Sequence, residues 1–401
     1  MEEKRRKSGW GLFVLGTVIG ILIGMVITCI VYRGALIPKK DSVVDQRVLS
    51  KIDRITGIID EKFYLSEVTD EQLENGIYRG LLEALDDPYS QYYTEEDLAD
   101  LLESSSGVFY GIGAYVSLHS ETKLPTISSV MPNTPAEESG LRKDDQVYMI
   151  DGTQTYGLTL TEATKLIKGP EGTNVHLTII REGEFDYVEL DIVRRRVETP
   201  TVINEMFDDG MAYIQVREFD DVTESQFAQA LEESRSNGMK GLIIDLRANP
   251  GGNLSTVVEM LRMILPEGII VYTETKAGRS EEFFCDGKNQ LEVPLVVLTD
   301  GNSASASEIF AGAVQDYGIG TLVGTTTYGK GIVQQIVTME DGTALKTTIS
   351  AYFTPKGRNI HGIGIEPDVE CKFDAEKFYD ETNPSDNQLE KAKEVLGELM
   401  K

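Results

Sequence analysis

Residues 10–32 contain no charged side chain, and this uncharged segment constrains the chain more than any other feature of its sequence. Its 23 residues, at about 1.5 Å of helical rise each, span roughly 34 Å, which is enough for the ~30 Å hydrocarbon core of a bilayer. The basic run at 4–7 favours a cytoplasmic amino terminus. We therefore predict a cytoplasmic tail at 1–9 and a single-pass membrane anchor at 10–32, with the rest of the chain outside the cytoplasmic membrane. The alternatives are a cleaved signal peptide, whose apolar core is usually shorter, and lipoprotein processing at Cys29.

The composition indicates that the bulk of the chain is soluble and globular. Its 401 residues, of which 41% are apolar and 26% charged, predict two or three domains. The formal net charge of −28 repels polyphosphate and argues against a nucleic-acid partner. The cysteines, Cys29, Cys285 and Cys371, lack the spacing of a zinc site and allow at most one disulfide, between Cys285 and Cys371. We expect neither a metal nor another cofactor.

Hydrophobic periodicity divides the remainder into four parts. Residues 41–103 repeat apolar side chains at helical spacing and predict a small helical unit, which serves either for packing or for homodimer contacts. Residues 104–195 predict short strands and one helix, Thr159–Ile167. Residues 196–375 alternate strands with helices and predict a layered α/β core, whereas residues 376–401 predict an amphipathic helical tail. The predicted strands are Phe109–Val116, Thr126–Val130, Gln146–Ile150, Val175–Arg181, Asp186–Ile192, Met211–Val216, Gly241–Asp245, Ile269–Tyr272 and Leu295–Thr299, and the core helices are predicted near 223–236, 253–264 and 304–316.

Three serines, Ser303, Ser305 and Ser307, lie between a predicted strand and a predicted helix. In open α/β sheets, reactive groups are found at this place, the carboxyl ends of the strands. Ser305 and Glu308 also have the spacing of a capping box, which satisfies helix amides without any catalytic role. The N–H groups at a helix start, however, suit a developing oxyanion. Ser305 is therefore a candidate nucleophile as well as a candidate cap.

A serine nucleophile needs a base, and the sequence offers two. One is His361, which lies outside the strand-rich middle part. The other is Lys330, which serves at neutral pH only if burial lowers its pKa from about 10.4 to about 7 to 8. The segment from Gly324 to Lys330 also approaches a phosphate-binding loop, but Gly331 stands where a Ser or Thr is required. We therefore reject nucleotide binding.

Two glycine-rich loops are candidate anion sites. Gly251 and Gly252 follow the strand that ends near Asp245, so a glycine N–H could donate to an oxyanion, although the same residues also suit a turn and a helix cap at Asn253. The loop Gly111-Ile112-Gly113 could direct N–H groups at a terminal carboxylate, which by itself is a weak signal.

Taken together, residues 104–372 resemble the carboxy-terminal processing peptidases, also called tail-specific proteases. The resemblance rests on Ser303-Ala-Ser305-Ala-Ser307-Glu308, Tyr328-Gly-Lys330-Gly-Ile-Val-Gln334, Leu246-Arg-Ala-Asn-Pro250-Gly251-Gly252 and Gly362-Ile-Gly364-Ile365-Glu-Pro367-Asp368. Residues 135–141 and 169–173 resemble the PDZ domain of that family. The resemblance implies a ClpP/crotonase-like layered α/β core at 196–375, with a β-rich PDZ domain inserted at 104–195. The helical N-terminal unit and one transmembrane helix precede them.

The resemblance also implies roles for individual residues. Ser305 would be the nucleophile, Lys330 the general base, and Gln334 the side chain that orients the lysine. The oxyanion donors would be the N–H groups of Ala306 and Gly251, with Gly252 as the alternative to Gly251. Ser303 and Ser307 would be structural.

The implied activity is that of a serine endopeptidase that cleaves proteins at or near their carboxyl termini. Its PDZ domain would bind a free carboxyl terminus at Gly111, Ile112 and Gly113, with an apolar pocket near Ile112, and would gate the active site. The alternatives are a catalytically silent PDZ scaffold and a Ser-His hydrolase that uses His361. Lys168 departs from the family pattern, which often has arginine there. Lys330 and Gln334 would lie about 13 Å apart in a straight strand, so we expect a bend at Gly331.

Overall fold

The computed structural model describes residues 43–380 and 382–401 of the chain. The predicted cytoplasmic tail at 1–9 and the predicted anchor at 10–32 lie outside these residues. Within the part that is described, no helix has the length and apolar character needed to cross a membrane. The chain divides into two units, one that ends at Ile77 and one from Tyr78 to Lys401.

The predicted helices and strands are present, one of the strands in two pieces, and the structure has further strands that the apolar patterns did not predict. In chain order, the helices of the described residues are α1 Gln46–Lys62, α2 Asp70–Glu83, α3 Glu95–Ser106, α4 Pro135–Glu138, α5 Leu160–Ile167, α6 Thr223–Ser236, α7 Leu254–Arg262, α8 Ala306–Tyr317, α9 Ala375–Phe378 and α10 Asn387–Leu399. The strands are β1 Gln91–Tyr93, β2 Val108–Gly111, β3 Ala114–Leu118, β4 Pro125–Val130, β5 Gln146–Ile150, β6 Thr153–Gln154, β7 Asn174–Ile180, β8 Val188–Val193, β9 Arg195–Glu198, β10 Val202–Met206, β11 Met211–Val216, β12 Gly241–Asp245, β13 Gly268–Thr275, β14 Gly278–Cys285, β15 Leu295–Thr299, β16 Gly320–Gly324, β17 Ile332–Thr338, β18 Ala344–Phe353 and β19 Val369–Glu370.

The first unit is helical, as its apolar spacing predicts. Helix α1 begins after Asp45, whose side chain accepts a hydrogen bond from the Val48 N–H at 2.9 Å. That bond satisfies one of the free amides at the helix start. None of the residues of α1 is buried. The helical unit predicted for 41–103 is therefore divided in the structure, because β1 and α3 belong to the second unit.

A six-stranded sheet forms the centre of the second unit, in the order β10-β11-β12-β15-β16-β19. Its pairs are parallel apart from β10 with β11. Strands β12 and β15 are continuous apolar runs because both faces of the sheet are covered. One face packs against apolar side chains of α6, α7 and α8, and the other packs against Ala392 and Leu396 of α10. This arrangement is the predicted layered α/β core.

A second sheet lies in the order β1-β18-β13-β14, with β17 also paired to β18. Strand β1 precedes the strand-rich domain in the chain, yet it pairs with β18, far beyond that domain. The strand-rich domain is therefore an insertion between two segments of the core.

The inserted domain has its own sheet and its own apolar core. Its sheet has the order β3-β4-β5-β7-β8, with β6 paired to β5, and a separate pair, β2 with β9, lies at its start and end. The predicted strand Phe109–Val116 is interrupted, because β2 ends at Gly111 and β3 begins at Ala114.

Both Cys285 and Cys371 are free thiols, so the disulfide that the sequence allowed between them is not formed.

Candidate active site

Ser305 lies between β15 and α8, in a strained backbone conformation. Its φ of 55° and ψ of −112° are rarely adopted by a residue with a side chain, so the surrounding structure must hold it there. The neighbouring serines contribute to this. The hydroxyl of Ser303 donates to the Leu246 carbonyl at 2.7 Å, and that of Ser307 donates to the Asn249 carbonyl at 3.0 Å. Both are fully buried, which agrees with the structural role that the resemblance implies for them.

A buried carboxylate, Glu308, connects the backbone of Ser305 to that of Lys330. It accepts hydrogen bonds from the N–H of Ser305 at 2.9 Å and from the N–H of Lys330 at 2.8 Å. It also accepts from the Gly329 N–H at 2.7 Å and from the Thr327 hydroxyl at 2.6 Å. Glu308 thus caps α8, as the sequence suggests. The same carboxylate also fixes the loop that carries the candidate base.

Tyr352 makes a second connection between the same two residues, and no sequence motif indicates it. Its hydroxyl donates toward the carbonyl oxygens of Lys330, at 2.6 Å, and Ser305, at 3.0 Å. Burial, together with the nearby Glu308 carboxylate, holds the pKa of Tyr352 well above its ordinary value. The hydroxyl therefore stays protonated and remains a donor.

Lys330 precedes β17 and is partly buried. Because β17 begins only at Ile332, Lys330 lies in the turn before the strand, and a register irregularity follows between Val333 and Gln334. A side chain at Gly331 would have no room, since a Cβ there would lie 2.6 Å from the backbone nitrogen of His361. Glycine is therefore required at this position, and the bend expected there stays a prediction.

The surroundings of Lys330 favour its neutral form. Burial lowers its pKa, the Lys346 ammonium lowers it further, and the carboxylates of Asp87 and Glu308 oppose this shift. Its Nζ lies 4.6 Å from the centroid of the Tyr89 ring. Among the described residues, no hydrogen bond joins this Nζ to the Ser305 hydroxyl, and the Gln334 amide donates to the Thr348 hydroxyl at 3.2 Å. The structure therefore has the three predicted residues in one place but not yet in contact.

These residues line one cleft of about 340 Å³. The predicted Ser305, Lys330, Gln334 and Ala306 all line it, together with Gly252 and Tyr352. His361 is not among the lining residues, and it is exposed. A larger cleft, of about 840 Å³ and with an acidic rim, shares only Leu101 with this one.

The two glycines of the neighbouring loop differ in what their N–H groups do. The Gly251 N–H donates to the Asn249 side-chain oxygen at 2.8 Å, so it is not available to an oxyanion in this arrangement. Gly251 instead packs behind the nucleophile, where a Cβ would lie 2.8 Å from the Ser305 Cβ. Gly252 lines the cleft, and no hydrogen bond from its N–H or from that of Ala306 is found among the described residues. The geometry thus favours Gly252, the predicted alternative, over Gly251.

The Gly111-Ile112-Gly113 loop differs from expectation in one respect. Gly113 has a φ of 83°, and a Cβ there would lie 2.4 Å from Thr134, so glycine is required. Its carbonyl accepts from the Met131 N–H at 3.0 Å. The Ile112 side chain, however, is only 2% exposed and belongs to the apolar core of the inserted domain. Ile112 therefore contributes to packing of the inserted domain, while the pocket expected near it and the carboxylate site at the loop backbone stay predictions.

Helix α3 contacts both the inserted domain and the cleft. On one side Glu103 pairs with Lys168, the residue that departs from the family pattern. On the other side Leu101 and Ser105 line the cleft beside Ser305. Lys168 therefore makes a charged contact out of the inserted domain although it is not an arginine.

Comparison with known proteins agrees with this architecture. Residues 210–371 match peptidase family S41, residues 126–181 match the PDZ domain, and residues 33–97 match the N-terminal domain of the activating protease CtpB. A crystal structure from Bacteroides fragilis assigned to the S41 proteases superposes with a TM-score of 0.50 at 17% identity, covering 89% of this chain and 98% of that one, which supports the fold alone.

Two curated relatives cover most of the chain. The carboxyl-terminal-processing protease of Synechocystis is 35% identical over 320 residues, which are 79% of this chain and 75% of the relative. The carboxy-terminal processing protease CtpA of Bacillus subtilis is 33% identical over 344 residues, 82% of this chain and 73% of the relative. With this similarity along the protease core and the inserted PDZ domain, the chain belongs to the carboxy-terminal processing proteases of peptidase family S41.

Proposed function

We propose that this protease works with a Ser-Lys pair, in which Ser305 is the nucleophile and Lys330 the general base. The observation that carries the proposal is that both side chains line one cleft while a buried carboxylate, Glu308, bonds to both backbones. Burial beside Lys346 favours the neutral amine that a base requires. His361 lies outside the cleft lining and has no part in this proposal.

In the proposed reaction, the neutral Lys330 amine takes the proton of the Ser305 hydroxyl as the oxygen attacks the substrate carbonyl. The N–H groups of Ala306 and Gly252 are the proposed donors to the oxyanion that forms. The Lys330 ammonium then returns its proton to the leaving amine, and the acyl-enzyme remains on Ser305. In the second half, a water molecule gives a proton to Lys330 as its oxygen attacks the acyl carbon. The bond to Ser305 then breaks, Lys330 returns the proton to the serine oxygen, and the carboxylic acid leaves.

This reaction requires a rearrangement from the described state. The Lys330 side chain must leave the Tyr89 ring and reach the Ser305 hydroxyl as the neutral amine. The Gln334 amide must leave Thr348 to orient it. We therefore propose that the described arrangement is a resting one, from which substrate assembles the active site.

The proposed trigger is a free carboxyl terminus bound by the PDZ domain. The backbone of the Gly111-Ile112-Gly113 loop would hold the carboxylate, and the substrate would add as a strand. The Lys168 to Glu103 pair links this domain to α3, whose Leu101 and Ser105 line the cleft. A substrate tail can shift the active site only if it binds the competent arrangement more tightly than the resting one.

The place of action that we propose is outside the cytoplasmic membrane, with the anchor at 10–32 as the tether. This part rests on the sequence alone. A protease added to intact cells should digest the region after the anchor and spare the basic tail. Protection of the large region would reverse the orientation.

The decisive experiment compares Ser305→Ala, Lys330→Ala and His361→Ala on a protein substrate, with products identified by mass spectrometry and folding checked by circular dichroism. We expect the first two to lose at least about 1,000-fold in kcat/KM, because each removes a group that makes or breaks the reacting bonds. His361→Ala should cleave normally. Full activity of Lys330→Ala would refute the pair, and a folded wild type that binds but never cleaves would favour the silent scaffold.

A further inference from the structure

The loop before β1 places an aromatic ring over the proposed base. Tyr89 lies in this loop, and its ring centroid is 4.6 Å from the Lys330 Nζ. A protonated amine over a ring face is attracted by the negative face of the π system, whereas a neutral amine gains far less. This contact therefore stabilises the protonated form of Lys330, the form that cannot act as a base.

The other charged groups that face Lys330 act on its ammonium in opposite directions. Lys346, on β18, repels the ammonium, while Asp87 and Glu308 attract it. Burial and the neighbouring Tyr328 raise the pKa of the Tyr89 phenol above its ordinary value. The ring is therefore uncharged. The ring and the two carboxylates thus act together against burial and Lys346.

The position of Tyr89 is tied to the position of Gln334. The Tyr89 N–H donates to the Asp87 carboxylate at 3.0 Å, and the buried Ser90 hydroxyl donates to the same carboxylate at 2.6 Å. The Thr348 N–H donates to the Ser90 hydroxyl at 3.2 Å, and the hydroxyl of Thr348 accepts from Gln334. One residue of β18 therefore holds both the loop of Tyr89 and the side chain proposed to orient the base.

We propose that Tyr89 is a positioning residue whose ring stabilises the protonated form of Lys330, against the opposing effects of burial and Lys346, and so limits how readily Lys330 serves as the base toward Ser305. The inference rests on the assignment of Lys330 as general base. It adds a residue from outside the sequence motifs, on a segment that precedes the PDZ domain in the chain. Activation by substrate then includes release of the ammonium from this ring.

The test is the pH dependence of kcat/KM for Tyr89→Leu and Tyr89→Phe in the full chain. Loss of the ring should lower the pKa of Lys330, which sets the acidic limb of the kcat/KM profile, by about 0.5 to 1. On that limb kcat/KM should then rise about 3- to 10-fold. Tyr89→Phe keeps the ring and should follow the wild type. Phe207→Leu is the matched control, since the Phe207 ring lies 3.2 Å from the Lys393 Nζ, at the opposite end of β11 from the cleft. An acidic limb that stays in place or moves to higher pH in Tyr89→Leu overturns the proposal.

A second measurement does not depend on catalysis. In a Ser305→Ala background, Lys330 can be titrated directly with an amine-reactive acylating reagent. The rate of Lys330 acylation is followed by mass spectrometry across pH. The titration should move to lower pH with Tyr89→Leu and not with Phe207→Leu; an unmoved titration overturns the inference about Tyr89. Cleavage by Lys330→Ala would instead refute the proposed base while leaving this titration readable, so the two failures are distinguishable.

Discussion

The two halves of the catalytic cleft are held in different ways. On the nucleophile side, Ser305 is fixed by a strained backbone, by two buried serines and by a glycine in contact with its Cβ. On the side of the proposed base, the backbone of Lys330 is fixed as firmly. Among the described residues, however, its Nζ has only an aromatic contact, and the Gln334 side chain donates one hydrogen bond, to Thr348. The difference supports the proposal that Ser305 is pre-set, that is, held ready, as the nucleophile and that regulation acts on the side chains of the proposed base and its partner.

The largest expected effect comes from disturbing the pre-set side with Gly251→Ala. The new Cβ would lie 2.8 Å from both the Ala304 carbonyl oxygen and the Ser305 Cβ, at a φ of 108°. We expect a loss of at least about 100-fold in kcat, because a small displacement of a nucleophile has an effect of this size. The free energy of unfolding should fall by about 3 kcal/mol, from overpacking and backbone strain.

Gly183→Ala is the matched control for this prediction. Gly183 also has a positive φ, 87°, but a Cβ there would have no neighbour within 4 Å. It should lose about 1 kcal/mol of stability through strain alone and keep its activity. If both variants keep full activity in steady-state cleavage assays, the pre-set nucleophile is refuted.

An intermediate effect is expected for Tyr352→Phe, which alters the connection between the two sides. It removes the hydroxyl that reaches the carbonyls of Lys330 and Ser305 and keeps the ring. We expect about 1 to 2 kcal/mol less stability in urea unfolding and about a 10-fold lower kcat, since the two backbones lose a shared donor. In the control Tyr317→Phe, which loses a bond to the Ile269 carbonyl at 2.9 Å, stability should fall similarly but kcat should not. Equal kcat values in the two variants would show that Tyr352 is only structural.

Much of the core could be predicted because its signals are local. Strands β5, β12 and β15 and helix α6 have the bounds expected from their apolar patterns. The alternation of short apolar runs with amphipathic helices is enough to indicate a covered parallel sheet. Glycine and proline then mark where these elements end.

Strand β18 was missed for the opposite reason. Its sequence, Ala344 to Phe353, mixes Lys, Thr and Ser with apolar residues, and it is stabilised by pairing with β17, β13 and the distant β1. The hairpin pairing with β17 is local, but the pairings with β13 and β1 join residues far apart in the chain, which local patterns do not encode. Tyr352 lies on this strand, so its role in the site could not be predicted from local patterns either.

The site motifs were predicted in position but not in contact. Ser305, Lys330 and Gln334 line one cleft, yet which N–H of Gly251 and Gly252 is free depends on the side chain of Asn249. The double use of Glu308, as a helix cap and as an acceptor for Gly329 and Lys330, likewise needs the tertiary structure. A capping pattern in the sequence specifies only the first of these roles.

The smallest expected effect concerns the electrostatics of the base, through Lys346→Gln. The Lys346 ammonium contributes to the lowered pKa of Lys330 because two positive charges in one cleft repel each other. Its removal should therefore raise the pKa of Lys330, move the acidic limb of kcat/KM to higher pH by about 0.3 to 0.5, and slow cleavage on that limb about 2- to 3-fold. The plateau above the limb should be unchanged, since Lys346 takes no proton in the reaction. Lys372→Gln, which removes an exposed lysine paired with Glu370, is the control and should leave the whole profile in place. A shift of the limb to lower pH in Lys346→Gln would mean that the sign assigned to this side of the cleft is wrong.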